Sequence, residues 1–149
     1  MRAVLQRVSS AAVSVDGQIV GRIGPGLLAL IGVAAGDVAA DIEYVASKIR
    51  DVRVFADDQD KMNRSVVDIG GAVLVVSQFT LMGDARKGRR PAFDAAEAPG
   101  AARERYEALV EQLKGYGLRI ETGVFQATMK VESVNDGPVT ILLASRRGF

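Results

Sequence analysis

The period of the hydrophobic pattern changes several times along the chain, and each change marks an element. Met1 to Val8 reads as a first strand. Ala12 to Gly24 (AVSVDGQIVGRIG) reads as a hairpin turning at Asp16-Gly17, a dipeptide suited to a two-residue turn. Gly26 to Ala34 (GLLALIGVA) is apolar almost throughout, as suits a central strand. Ile42, Val45, Ala46 and Ile49 then recur at helical spacing, so Val38 to Arg50 is expected as an amphipathic helix with Asp37 as its N-cap. Residues 52–55 (VRVF) suggest a short strand, and residues 57–64 a polar loop.

Ala72 to Leu81 (AVLVVSQFTL) is the most strongly β segment, yet its apolar run turns abruptly into Ser77-Gln78-Phe79-Thr80. Residues 82–100, with Gly83, Gly88, Pro91, Pro99 and Gly100, read as a long loop, and long loops in compact domains often carry function. Ala102, Tyr106, Leu109, Val110 and Leu113 mark a second helix closed by Gly115 and Gly117. Ala127–Val134 and Val139–Ala144 read as two last strands flanking Asn135-Asp136-Gly137-Pro138. The expected fold is α+β: a mostly antiparallel β-barrel or strongly curved sheet with two packed helices. At 149 residues, without repeat or linker, the chain is expected to form a single domain over residues 1–149.

Composition narrows the chemistry more than the fold. There is no His and no Cys. A Ser-His-Asp triad, a Cys-His dyad, a thiolate metal site and an imidazole proton shuttle are all excluded. Hydroxyls, carboxylates, Lys, backbone dipoles, a metal on oxygen ligands or the substrate's own groups remain. The absence of Cys fits a reducing compartment. The start of the chain does not resemble a secretory signal, and the longest apolar run, Leu27 to Ala35, is too short to span a bilayer. A soluble cytoplasmic protein without membrane association is expected. The net charge of +1 is uninformative about nucleic acid, but Arg86-Lys87-Gly88-Arg89-Arg90 places four cations in five residues. Such a cluster reads either as a solvated loop or as a polyanion contact.

Several motifs admit plain readings. Gly21 to Gly26 lacks the Lys-Ser/Thr of a phosphate loop and opens onto a strand. The acidic run from Asp57 has Met62 and Asp68 where a calcium loop needs Gly and Glu. Ser77-Gln78-Phe79-Thr80 is either a strand leaving the core or a hydroxyl, an amide and backbone N–H groups converging on a polarised ligand. Asn135-Asp136-Gly137-Pro138, taken alone, is a hairpin turn.

Taken together and in order, SQFTL, GDARKGRRPAF and VNDGPVT resemble the D-aminoacyl-tRNA deacylase family (D-tyrosyl-tRNA deacylase type). The resemblance runs from MRAVLQRV through Asp60-Lys61-Met62-Asn63 to the last strand. It implies a hydrolase that frees D-amino acids from tRNA, built as a β-barrel homodimer with active sites at the subunit interface; no cofactor is expected and no residue is assigned as a metal ligand. On the same footing Ser77, Gln78, Phe79 and Thr80 would form the catalytic wall, with Phe125 and Met129 lining the pocket. Gly137 and Pro138, joined by a cis peptide, would enter from the partner subunit as a chirality filter, supported by Arg7. Arg86, Lys87, Arg89 and Arg90 would meet the tRNA. One departure stands out: Phe125-Gln126-Ala127-Thr128-Met129 occupies the place of a Phe-Gly-Ala-acidic-Met pattern. Gln126 adds bulk there, and Thr128 removes a charge. A non-catalytic tRNA-binding module of the same fold is the alternative, and a generic esterase is disfavoured by the missing triad.

Overall fold

The computed structural model describes residues 1–149. Its spine is β1 (Arg2–Val15). On one side β1 is flanked by β2 (Gln18–Ile23) and β3 (Gly26–Gly32), and on the other by β8 (Lys130–Ala144), all antiparallel. β6 (Ala72–Ser77) and β7 (Arg119–Thr122) extend the sheet beyond β3 in parallel. These parallel pairings require crossovers, which α1 (Ala39–Asp51) and α2 (Pro99–Gly115) provide. The mixed sheet curls into a nearly closed barrel, because β2 returns against β7 where Gly21 faces the Thr122 carbonyl. A Cβ on Gly21 would lie 2.5 Å from that oxygen. β4 (Phe55–Ala56) and β5 (Met62–Arg64) form a small separate ladder. No helix is long and apolar enough to cross a membrane.

The core divides between the two faces of the sheet. Leu27, Ala29 and Ile31 of β3, with Val73 and Val75 of β6, pack against both helices. Leu28 of β3, with Ala72, Leu74 and Val76 of β6, belongs to a second cluster on the opposite face. Burial on both faces explains why these strands read as unbroken apolar runs. β1 changes sides along its length: Ala3 and Leu5 face the helices, whereas Ala11 and Val13 join the second cluster. The register slips at Ser9, between the pairs Val8–Asn135 and Ser10–Val134, and an extra residue in one strand transposes its faces.

Several sequence expectations are corrected. Val38, not Asp37, precedes the first turn of α1, and the Asp41 carboxylate accepts from the Val38 N–H at 2.8 Å, the half of a capping box open to a non-hydroxyl N-cap. Asp37 is instead fully buried, accepting from the Met1 ammonium at 2.7 Å, the Ala34 N–H at 2.8 Å and Arg146 at 2.6 Å. α2 begins at Pro99, since proline fits the first helical turn, where its missing N–H is no loss. The VRVF strand shrinks to Phe55–Ala56, and Met62–Arg64 inside the supposed loop pairs with it. The strand from Ala72 ends at Ser77 and gives way to a 3₁₀ turn over Phe79–Met82.

Candidate active site

A cleft of about 1120 Å³ opens beside the second core cluster, where Leu28, Leu30 and Val76 supply an apolar floor. Ser77 to Thr80 form one wall, Phe93 with Ala96 to Pro99 the facing wall, and Phe125 to Ala127 with Met129 the rim. Val131 and Ser133 of β8 border it as well. The cleft therefore gathers Ser77, Gln78, Phe79, Thr80, Phe125 and Met129 in one place.

The first wall is built by ending β6 sharply. The Gln78 N–H donates to the Ile31 carbonyl at 2.7 Å, the last tie to β3, and Leu81 N–H to Gln78 carbonyl (3.2 Å) and Gly83 N–H to Thr80 carbonyl (3.0 Å) close the 3₁₀ turn. The turn can lie this close because β3 ends in glycine: a Cβ on Gly32 would come within 2.9 Å of Leu81 Cβ and 3.2 Å of the Gln78 carbonyl oxygen. Phe79 and Thr80 open the turn, so their N–H groups have no acceptor inside it. Both residues are exposed, and Phe79 packs edge-on against Phe93 with centroids 5.1 Å apart.

The facing wall is zipped to the end of β3: Ala35 N–H donates to Ala95 carbonyl at 2.9 Å and Glu97 N–H to Val33 carbonyl at 3.0 Å. Glu97 is the one side chain bordering the cleft that could serve as a carboxylate base. The N–H groups of Ala98 and Gly36, with Arg105 beside them, hold its carboxyl below the usual carboxylate range. A carboxylate so committed is a weak proton acceptor. At the rim, Tyr106 lies beside Phe125 at 6.0 Å between centroids and donates its hydroxyl to the Val75 carbonyl at 2.8 Å. Gly123 leaves room for Met129, whose sulfur would be 2.5 Å from a Cβ there.

Gly137 and Pro138 stand apart from this cleft in the same chain. Residues 130–144 form one strand rather than the expected pair, and both halves run along β1. Gln6 pairs with Thr140 and Val8 with Asn135, so Arg7 alone faces the four residues Asp136–Val139, which loop out. Asn135-Asp136-Gly137-Pro138 is thus a bulge, not a hairpin. The Gly137–Pro138 peptide is cis, and both residues are exposed. Arg7 Nε donates to the Asp136 carbonyl at 2.9 Å and Nη1 to the Val54 carbonyl at 2.7 Å, while Asn135 Oδ1 accepts from the Val139 N–H at 3.2 Å. The far edge of β8 is unpaired, and Val134 and Leu142 on it are more than half exposed.

The basic cluster occupies a projecting loop closed by paired backbone hydrogen bonds between Asp84 and Ala92 of 2.7 and 2.8 Å. Arg86 turns back onto Asp84 and holds that carboxyl well below its usual range. Lys87, Arg89 and Arg90 are exposed without an ionic partner. Sequence reasoning missed Gly32, Gly123, Phe93 and Glu97. A glycine inside a strand pattern signals only that something approaches closely, without saying what.

Comparison with known proteins now bears on this geometry. The family model described as D-Tyr-tRNA(Tyr) deacylase matches residues 4–144. The chain is 60% identical over 149 residues to a D-aminoacyl-tRNA deacylase of Koribacter versatilis (strain Ellin345), covering 100% of both. A solved structure of a c-Myc DNA unwinding element binding protein superposes with a TM-score of 0.92 at 40% identity, covering 97% of this chain and 98% of that one. A probable eukaryotic D-amino acid tRNA deacylase superposes with a TM-score of 0.83 at 16% identity, covering 95% and 97%, and shares the fold.

Proposed function

The chain belongs to the D-Tyr-tRNA(Tyr) deacylase family, and from that premise we propose that it hydrolyses the ester joining a D-amino acid to the 3′ end of tRNA in the compartment of translation, the cytoplasm. The carrying observation is the 3₁₀ turn at the cleft wall, whose first two residues, Phe79 and Thr80, line the cleft, are exposed and have N–H groups without acceptors inside the turn. Donors fixed in this way stabilise the oxyanion that forms on the ester carbonyl, and each contributes about 2.7–4 kcal/mol to lowering the barrier. Water attacks the carbonyl carbon, the bond to the ribose 3′ oxygen breaks, and that oxygen leaves with a proton as the tRNA hydroxyl. With no His or Cys in the chain and Glu97 committed, the neighbouring ribose 2′-hydroxyl is the group that helps to position or deprotonate the water.

Handedness is read at Cα. An enzyme that accepts many D side chains cannot rely on a fitted side-chain pocket. The main-chain oxygen of Gly137, supplied by a second copy of the chain, accepts a hydrogen bond from the substrate amino group and leaves no room for an L side chain. Three features support this reading: Gly137 and Pro138 are exposed, they do not line their own cleft, and the unpaired β8 edge with its exposed valines adjoins that cleft. The test is deacylation of D-tyrosyl-, L-tyrosyl- and glycyl-tRNA. Release from the D-tyrosyl and glycyl substrates with the L-tyrosyl ester intact is expected. Binding without D-selective release would favour the non-catalytic tRNA-binding module instead.

Two variants separate the parts. Thr80→Ala keeps kcat near the wild-type value if the N–H groups and the 2′-hydroxyl carry the chemistry; a loss of several orders of magnitude would restore Thr80 as a nucleophile. Reversing Arg89 and Arg90 to Glu removes about two phosphate contacts and flattens the salt dependence of KM, with little effect on kcat. An unchanged salt slope would make the projecting loop a solvated one.

A further inference from the structure

Four residues other than glycine adopt positive φ: Asp16, Asp60, Gln126 and Arg147. Asp16 sits in the β1–β2 hairpin and Asp60 in the turn before β5, where a short acidic side chain tolerates the left-handed region, and Arg147 lies near the chain end. Gln126 is different on three counts. It occupies the third position of the turn Val124–Ala127, closed by Ala127 N–H to Val124 carbonyl at 3.1 Å, with φ of 65°. That position in a type II turn belongs to Gly or Asn, and a longer side chain costs about 1–2 kcal/mol there. Unlike the other three, Gln126 lines the cleft, and it is exposed. Its carboxamide, with one acceptor oxygen and two N–H donors, is committed to no hydrogen bond within the protein, in contrast to Gln6, whose amide is tied to Thr140.

A strained backbone that presents an unoccupied amide to a binding cleft points to a contact made when the cleft is filled. The turn is held from behind, because Phe125 packs beside Tyr106 and the Arg103 guanidinium lies 5.9 Å from its ring centroid. We propose that the Gln126 carboxamide hydrogen-bonds the adenine edge of the terminal nucleoside of the aminoacylated RNA, an inference that rests on the deacylase reading. A carboxamide matches the donor–acceptor pair of adenine N6 and N7, which it can engage in bidentate fashion. The amino-acid side chain varies among substrates while the terminal adenosine does not, so the nucleoside is the partner worth a fixed polar contact.

The test uses the minimal substrate D-tyrosyl adenosine and its 7-deaza analogue, which lacks the N7 acceptor. For the wild-type protein, KM for the 7-deaza ester is about fivefold higher, the size of one neutral hydrogen bond. Gln126→Gly raises KM for the adenosine ester by at least as much, holds kcat within about twofold and abolishes the difference between the two esters, as a thermodynamic cycle requires. Its melting temperature is unchanged or up to about 2 °C higher, because glycine relieves the left-handed strain. Gln126→Asn, which tolerates the same backbone, restores part of the discrimination. A discrimination between the esters that persists in Gln126→Gly, an unchanged KM, or a fall in melting temperature would each overturn the contact. Wild-type protein that hydrolyses neither D-tyrosyl adenosine nor D-tyrosyl-tRNA would overturn the deacylase reading beneath it.

Discussion

Gly137→Ala is expected to lower kcat/KM for D-tyrosyl-tRNA by about 100-fold, the scale on which a small misplacement of a positioning group acts. Gly137 has φ of 130°, a backbone geometry that L side chains rarely adopt. A Cβ there would lie 2.8 Å from Arg7 Nη2, 3.0 Å from Val139 Cγ2 and 3.2 Å from the Val139 nitrogen. The loop must therefore move, and the Arg7 hydrogen bond that fixes the Asp136 carbonyl is disturbed with it. Gly137 and Pro138 are exposed, and of the loop only the half-buried Val139 packs against the first core cluster, so the loss in stability stays within about 1–3 kcal/mol. Steady-state deacylation alongside a thermal melt separates the two effects. Full activity in a folded Gly137→Ala protein would show that the main-chain oxygen at this residue does not read the substrate.

The second large effect is on stability. Asp37→Ala removes the carboxylate that faces the Met1 ammonium, with both groups at 0% exposure. It also strips an acceptor from the Ala34 N–H and from Arg146. The ammonium keeps only the Ser145 hydroxyl at 2.8 Å. Breaking a buried pair from one side costs about 3–5 kcal/mol, because the remaining charge is left without compensation. Urea unfolding should register that loss, and the melting temperature should fall by about 10 °C. A buried pair is poorly screened, so the loss persists in high salt. The exposed Arg103–Glu107 pair is the control: its removal changes stability by less than about 1 kcal/mol.

What the sequence revealed, and what it hid, follows from the range of the interactions. The β1–β2 hairpin is legible because Asp16 and Gly17 set their own turn, and Val15 pairs with Gln18 across it. α1 is legible because its buried residues Ile42, Val45, Ala46 and Ile49 recur with the helix period. Local rules failed where a distant partner won. Asp37 has the residue type of a cap, but the Met1 ammonium and Arg146 claim it. Asp136-Gly137 has the composition of a hairpin turn, but β1 pairs with both flanks and turns it into a bulge. Pro99 reads as a breaker because the start of a helix and the end of a loop look alike from one residue. Within the site, the Ser77–Thr80 wall showed itself as an apolar strand turning polar, and Phe125 and Met129 entered through family resemblance. Glu97 left no signal, because the N–H groups and guanidinium that bind it come from Gly36, Ala98 and Arg105.

The pairing of β1 with β8 along nearly its whole length has a consequence for biosynthesis. Gln6 finds Thr140, and Val8 finds Asn135, across almost the full span of the polypeptide. A ribosome delivers the spine strand first and its flanking neighbour last, so one entire edge of β1 waits without hydrogen-bond partners until translation is nearly complete. The barrel is consequently a product of late assembly with a high contact order, and a nascent chain stalled before residue 130 exposes an unpaired strand suited to chaperone capture.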